Sequence, residues 1–288
     1  MKRAFAFQNI LSIILVCSLF FCYIAPSSFG EESSVTHADV MFEEGLRLLS
    51  SASGETQNMV KGIALIISAA NAGSANAMVE VGKMYSSGLG KLLSEDFVEG
   101  TEAELALTWY EKGAEAGAVE AAASAISSDA FSYFLGSEDG SIQEDDAVAL
   151  QYFQKAAEYG DPSAINMMVA FYVYGFGVEQ DPDKALELSS HLADQGNEEA
   201  LAAMEDYAYA YYAGTKDGID INFGTAFKYY EKLADYGNER AMYNVGLLYE
   251  YGLGVTQDHA KALEWLTKAQ DAGYEPAESM LVKLNSNN

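Results

Sequence analysis

The chain has 288 residues, 50% of them hydrophobic, and carries 43 acidic against 16 basic side chains for a net charge of −27. Four prolines and 20% charged residues fit a folded, mostly helical chain, and the apolar content is enough to bury a sizeable core. The excess of negative charge repels phosphate backbones and anionic lipid, which argues against nucleic acid or a membrane surface as partner.

The N-terminus stands apart. Lys2 and Arg3 precede an apolar run, Ile10–Ile24, and then Pro26-Ser-Ser-Phe-Gly30 with small residues at Ser28 and Gly30. That layout predicts a secretory signal peptide over 1–30, cleaved after Gly30, and hence a periplasmic or secreted protein with no membrane contact after cleavage. An uncleaved anchor and a lipoprotein are the alternatives. Cys17 and Cys22 both fall in this segment, so residues 31–288 contain no cysteine and must be held by packing rather than disulfides. Residues 31–39 read as a flexible start.

From residue 40 on, the chain is periodic. Gly73, Gly117, Gly160, Gly196, Gly237 and Gly273 recur at intervals of 36 to 44 residues. Four residues after each comes an Ala (77, 121, 164, 200, 241, 277). Eleven before each is a small residue (Gly62, Ala106, Ala149, Ala185, Ala226, Ala262). Eight before is a large one: Leu65, Trp109, Tyr152, Leu188, Tyr229 and Trp265. Small residues let helices approach and large ones fill the grooves between them. Lys112, Lys155, Lys232 and Lys268 stand five before the Gly, where a cation meets the negative end of a helix dipole; Ser68 and His191 replace it in the other two units. Each unit is therefore a helical hairpin with a glycine stop, and hairpins that cannot bury their apolar faces alone must stack. The expected fold is all-α, a right-handed α-solenoid over 40–285 with about six repeats, a terminal capping helix and a disordered tail at 286–288. Insertions between the two helices fall at 92–101, 136–146 and 214–224.

These residues resemble the Sel-1-like repeat, a relative of the tetratricopeptide repeat. The match is fullest in the last unit, with Ala241, Gly246, Tyr249, Gly252, Gly254, Val255, Asp258, Lys261, Ala262, Trp265, Lys268, Ala269 and Gly273 on the family pattern. It is weaker where Asp129 and Ala208 stand in place of the Tyr. The resemblance implies a protein-interaction scaffold. A secreted, cysteine-rich branch associated with β-lactam binding is set aside, because its cysteines are missing here.

No residue set argues for an enzyme, a cofactor or a metal. His37, His191 and His259 have no second ligand at helical spacing, and no nucleophile motif is present. The acidic loops 138–146 and 217–222 lack the spacing of a Ca²⁺ loop. Tyrosine is the informative enrichment, with 19 in the chain. Alignment with a tetratricopeptide hairpin places the second, sixth, ninth and tenth residues after the leading Ala on a concave face. Asn166, Tyr174, Asp206, Tyr209, Tyr243, Glu250 and Tyr251 are thereby predicted to bind another protein or peptide, since Tyr offers large contact area at low entropic cost. An envelope-polymer (peptidoglycan) binding protein or hydrolase is the alternative function.

Overall fold

A helix that ends on a residue with positive φ needs glycine, and this chain uses that device six times. In the computed structural model, which describes residues 36–51, 56–93, 98, 101–136 and 142–286, the six repeat glycines all have φ between 83° and 112°. A Cβ added at any of them would meet nothing within 4 Å, so the requirement comes from backbone conformation and not from space. The stop is the same each time. Gly237 N–H donates to the Ala234 carbonyl and Asn238 N–H to that of Leu233, and the other five copies repeat the pair.

The helices so punctuated are packed in two units. The first contains α1 (His37–Ser51) and α2 (Thr56–Asn71), then α3 (Ala75–Ser86), the single turn α4 (Gly90–Leu93) and α5 (Glu102–Glu115). It continues with α6 (Val119–Leu135) and α7 (Asp146–Glu158), and takes α8 (Pro162–Tyr174) as far as Met168. The second begins at Val169 and holds α9 (Pro182–Asp194), α10 (Glu198–Ala213), α11 (Phe223–Asp235), α12 (Glu239–Tyr251), α13 (His259–Asp271) and α14 (Glu275–Ser286). Among the described residues there is no strand. Second helices open on Asp145, Asp181, Asn222 and Asp258, each accepting a backbone amide two or three residues on, and Asn197 and Asn238 do the same for first helices. Such a cap contributes about 1 kcal/mol.

The small residue eleven before each glycine is buried in all six units. Its purpose is close approach: a Cβ on Gly62 would lie 2.9 Å from the Gly45 carbonyl oxygen. The large residue eight before divides the repeats. Tyr152 and Tyr229 are buried, and their hydroxyls donate to the Ala103 and Pro182 carbonyls of the preceding unit's second helix. Tyr133 and Tyr211 lean on them with ring centroids 5.3 and 5.8 Å apart. These are the two units in which Ala130 and Ala208, both fully buried, replace the usual first-helix Tyr. The lost ring is thus replaced by another a turn later on the same helix.

The repeat Lys has a partner beyond the helix dipole. Lys112 and Lys268 lie over Trp109 and Trp265 at 4.4 and 4.1 Å from the centroid, while Lys155 and Lys232 lie over Tyr159 and Tyr236 at 6.0 and 5.0 Å. The units with Leu65 and Leu188 carry no such Lys.

Three expectations change. In the third unit the buried small residue is Ala122, and Ala121 is exposed. The register of α6 is advanced one residue, a rotation of about 100°. Residues 37–39, expected in the flexible start, belong to α1, which begins at His37 because the Thr36 hydroxyl and amide both donate to the Asp39 carboxylate, and the Asp39 amide donates back to the Thr36 hydroxyl. At the other end α14 runs through Ser286, so the tail does not start there. The predicted signal peptide and residues 137–141 of the acidic loop lie outside the described residues. No helix among the described residues is long and apolar enough to cross a membrane.

Candidate functional site

Helix α10 sets out the aromatic surface of the second unit. Its sequence places Tyr207 and Tyr211 one turn apart, and both turn into the packed layer with Tyr229. Tyr209 and Tyr212 leave the helix on another side. Tyr209 is 47% exposed, and Tyr212 meets the Phe223 ring edge-on at 5.6 Å. On α12, Tyr251 is 54% exposed and Tyr243 lies against Tyr274 of the α13–α14 turn at 5.2 Å. Burial raises the Tyr243 hydroxyl pKa, aided by the nearby Tyr274, Tyr251 and Tyr212. Tyr230 is raised by burial in the same way and senses Arg240, Glu205, Tyr212 and Tyr209. Tyr209, Tyr212, Tyr243, Tyr251 and Tyr274 therefore form one field on α10, α12 and the turn before α14.

The predicted site residues divide accordingly. Tyr251 is near enough to Tyr243 to be felt electrostatically, and Tyr209 and Tyr251 are both about half exposed. Tyr174 is not available in the same way: it stacks on Phe176 at 5.6 Å, and the loop 214–222 lies over it. Ile219 of that loop is buried, Gln180 donates to the Gly218 carbonyl, and a Cβ added at Gly218 would lie 3.5 Å from the Tyr174 ring. Burial pushes the Tyr174 hydroxyl up to about 12. Asp206 pairs with Lys216 of the loop at 3.3 Å, and Lys216 also lies over Tyr207 at 5.1 Å. Glu250 is engaged within its own hairpin, its carboxylate 2.8 Å from His259 Nδ1 and its carbonyl accepting from Gln257. Asn166 is half-buried in the first unit. Three further residues aligned to the concave face, Ala170, Val173 and Ala210, are buried and cannot contact a partner.

Two features were not legible in advance. Tyr212 and Tyr274 sit outside the aligned positions, and only packing shows that they extend the field. In the first unit, Asp129 of α6 accepts the Tyr110 hydroxyl at 2.6 Å, and the Ser86 hydroxyl is 3.5 Å from that of Tyr110. Burial raises the Asp129 carboxyl pKa, and the Tyr110 hydrogen bond opposes it. The neighbouring Tyr133 is pushed up to about 12 by burial and by Asp129. A groove of about 590 Å³ between α9 and α11 carries Asp183 and Asp194, which already pair with Lys228 and Tyr236. Among the described residues no three His, Cys, Asp or Glu side chains gather as a metal would need.

The Sel1 repeat family model matches residues 40–74, 75–117, 130–161, 163–197, 201–238 and 239–274. The gap at 118–129 is the stretch of α6 with the shifted register. Chitin synthase regulatory factor 4 of Schizosaccharomyces pombe is 33% identical over 53% of this chain and 23% of its own length. The ERAD-associated E3 ubiquitin-protein ligase component HRD3A of Arabidopsis thaliana is 31% identical over 46% of this chain and 26% of its own. The chain thus spans about a quarter of the length of these relatives. Among solved structures, a protective antigen of uropathogenic Escherichia coli is 26% identical, with 85% of this chain and 48% of that chain covered at a TM-score of 0.37. A Sel1 repeat protein from Oxalobacter formigenes is 24% identical, with 84% and 86% covered at a TM-score of 0.34. With six matched repeats spread over most of its length, the chain belongs to the Sel1 repeat family.

Proposed function

We propose that this protein is an exported, non-enzymatic interaction scaffold that holds another protein or peptide in the periplasm or outside the cell. The observation that carries the binding half is the tyrosine field of the second unit. Tyr209 and Tyr251 stand exposed beside Tyr212, Tyr243 and Tyr274, rings that are already ordered by packing and so lose little entropy on binding. The related HRD3A is by name a component of a larger ligase, which agrees with a scaffold role. The export half rests on Lys2, Arg3, the apolar run and the small residues before Glu31.

The test is capture from an envelope extract with the wild-type chain and with Tyr209→Ala/Tyr251→Ala. Both side chains are about half exposed and neither fills the core, so the double variant is expected to keep its fold. Each truncated anchor is expected to cost about 2 kcal/mol of binding, and the captured protein should be lost. Equal capture by the two chains refutes the tyrosine field. N-terminal sequencing of the exported protein tests the other half, with Glu31 expected as its first residue.

A further inference from the structure

Under the corrected register, Asp129 occupies a position seven residues beyond the buried Ala122. The equivalent residues in four sibling units are Met84, Phe171, Tyr207 and Leu248, all apolar or aromatic. One unit alone among these places a carboxylate there, half-buried where α3, α5 and α6 meet. The surroundings hold it with hydroxyls: Tyr110, fully buried, donates at 2.6 Å, with Ser86 behind it. Lys83 and Tyr133 are near enough to be felt electrostatically, but Lys83 pairs with Glu80 at 3.3 Å. Among the described residues no Lys, Arg or His forms an ion pair with Asp129. A desolvated carboxylate without a cation is costly, and a cation delivered to it gains more than one delivered to a solvated surface carboxylate. In a chain with an excess of 27 negative charges, cations to supply it internally are few.

We propose that Asp129, held by the Tyr110 hydroxyl with Ser86 behind it, is the anchor for a Lys or Arg side chain of a polypeptide that docks on the first unit. The inference rests on the scaffold reading and adds the chemistry of the partner. A basic side chain reaching this point meets a carboxylate already oriented by the Tyr110 hydroxyl. The overall charge favours such a segment from a distance and Asp129 fixes its register.

The experiment selects peptides from a random display library on the full chain, then measures one selected peptide by fluorescence polarisation. Selected sequences should share a Lys or Arg. Changing that residue to Gln should weaken binding to the wild type about tenfold, as for a charge-assisted hydrogen bond, and should change nothing on Asp129→Asn. Asn keeps an oxygen for the Tyr110 hydroxyl, so the variant retains the local packing. Should it fail to fold, zero-length carbodiimide coupling of a selected Lys peptide to the wild type replaces it, with the cross-link expected at Asp129. Selected peptides without a shared basic residue, equal losses on both chains, or cross-links only at other carboxylates overturn the proposal and leave the scaffold reading standing. A library that yields no binder overturns both.

Discussion

Gly237→Ala and Gly254→Ala separate two reasons for needing glycine. Gly237 has φ 85° with nothing within 4 Å of a new Cβ, so Ala there suffers only the left-handed backbone, about 1–2 kcal/mol. Gly254 has φ 73°, and its Cβ would collide with the Phe223 carbonyl carbon and come within 2.5 Å of the Gly224 amide nitrogen. The same backbone term applies, and the turn 252–254 must also move off the start of α11, adding about 1–3 kcal/mol of overpacking strain. The expected losses are therefore about 1–2 kcal/mol for Gly237→Ala and about 2–5 kcal/mol for Gly254→Ala. Urea unfolding followed by circular dichroism gives the ranking. Because stacked repeats can open piecemeal, amide exchange over α11–α13 should accompany it and show the Gly254→Ala loss concentrated there. Equal losses in the two variants would refute the close approach of the turn to α11. A neutral Gly237→Ala would refute the backbone argument for the whole set of repeat stops.

The other predictions concern charge. The folded pKa of Asp129 is raised, so the native state binds its proton more tightly than the unfolded chain and this group's contribution to stability falls as pH rises through the raised value. Asp129→Asn should remove that component, so its stability relative to the wild type should rise as the pH climbs from the ordinary value of 3.8 through the raised one in paired denaturation curves; a difference that does not change with pH contradicts the assignment. Lys268→Gln should lose about 0.5–1 kcal/mol by removing the cation from Trp265, whereas His191→Lys should gain less, because Leu188 offers no ring. Equal and opposite changes in the two would mean that the helix dipole alone is at work. Lys216→Gln should lose about 0.5–1 kcal/mol, mainly by removing the cation from the Tyr207 ring, since Asp206 at the other end of its ion pair is exposed, and should speed amide exchange in 214–222.

Each part of the repeat that recurs was legible from spacing. Six glycines at a fixed place can only be stops, and the structure gives all six the same positive φ and the same pair of closing bonds. The small residue eleven before each was equally plain. The Lys was visible too, but its reason was incomplete, since the ring it covers is at three residues before it in two units and four after it in the other two. The tyrosine surface was partly legible. The hairpin position picked out Tyr209 and Tyr251, which are exposed, and equally Tyr174, which stacks on Phe176 under an inserted loop.

By itself the sequence determined the all-α repeat, the glycine stops and the family, because these follow from local conformational rules and a period repeated six times. Only the tertiary structure decided the register of α6, the cover over Tyr174 and the setting of Asp129. Each depends on which side chain from a neighbouring helix fills a given space. Ala130 and Ala208 leave gaps that Tyr133 and Tyr211 reach from further along the same helix, and no local pattern encodes that exchange. A single carboxylate among apolar siblings reads in sequence as erosion of the repeat. In the fold, with Tyr110 donating to it, it reads as a retained charge.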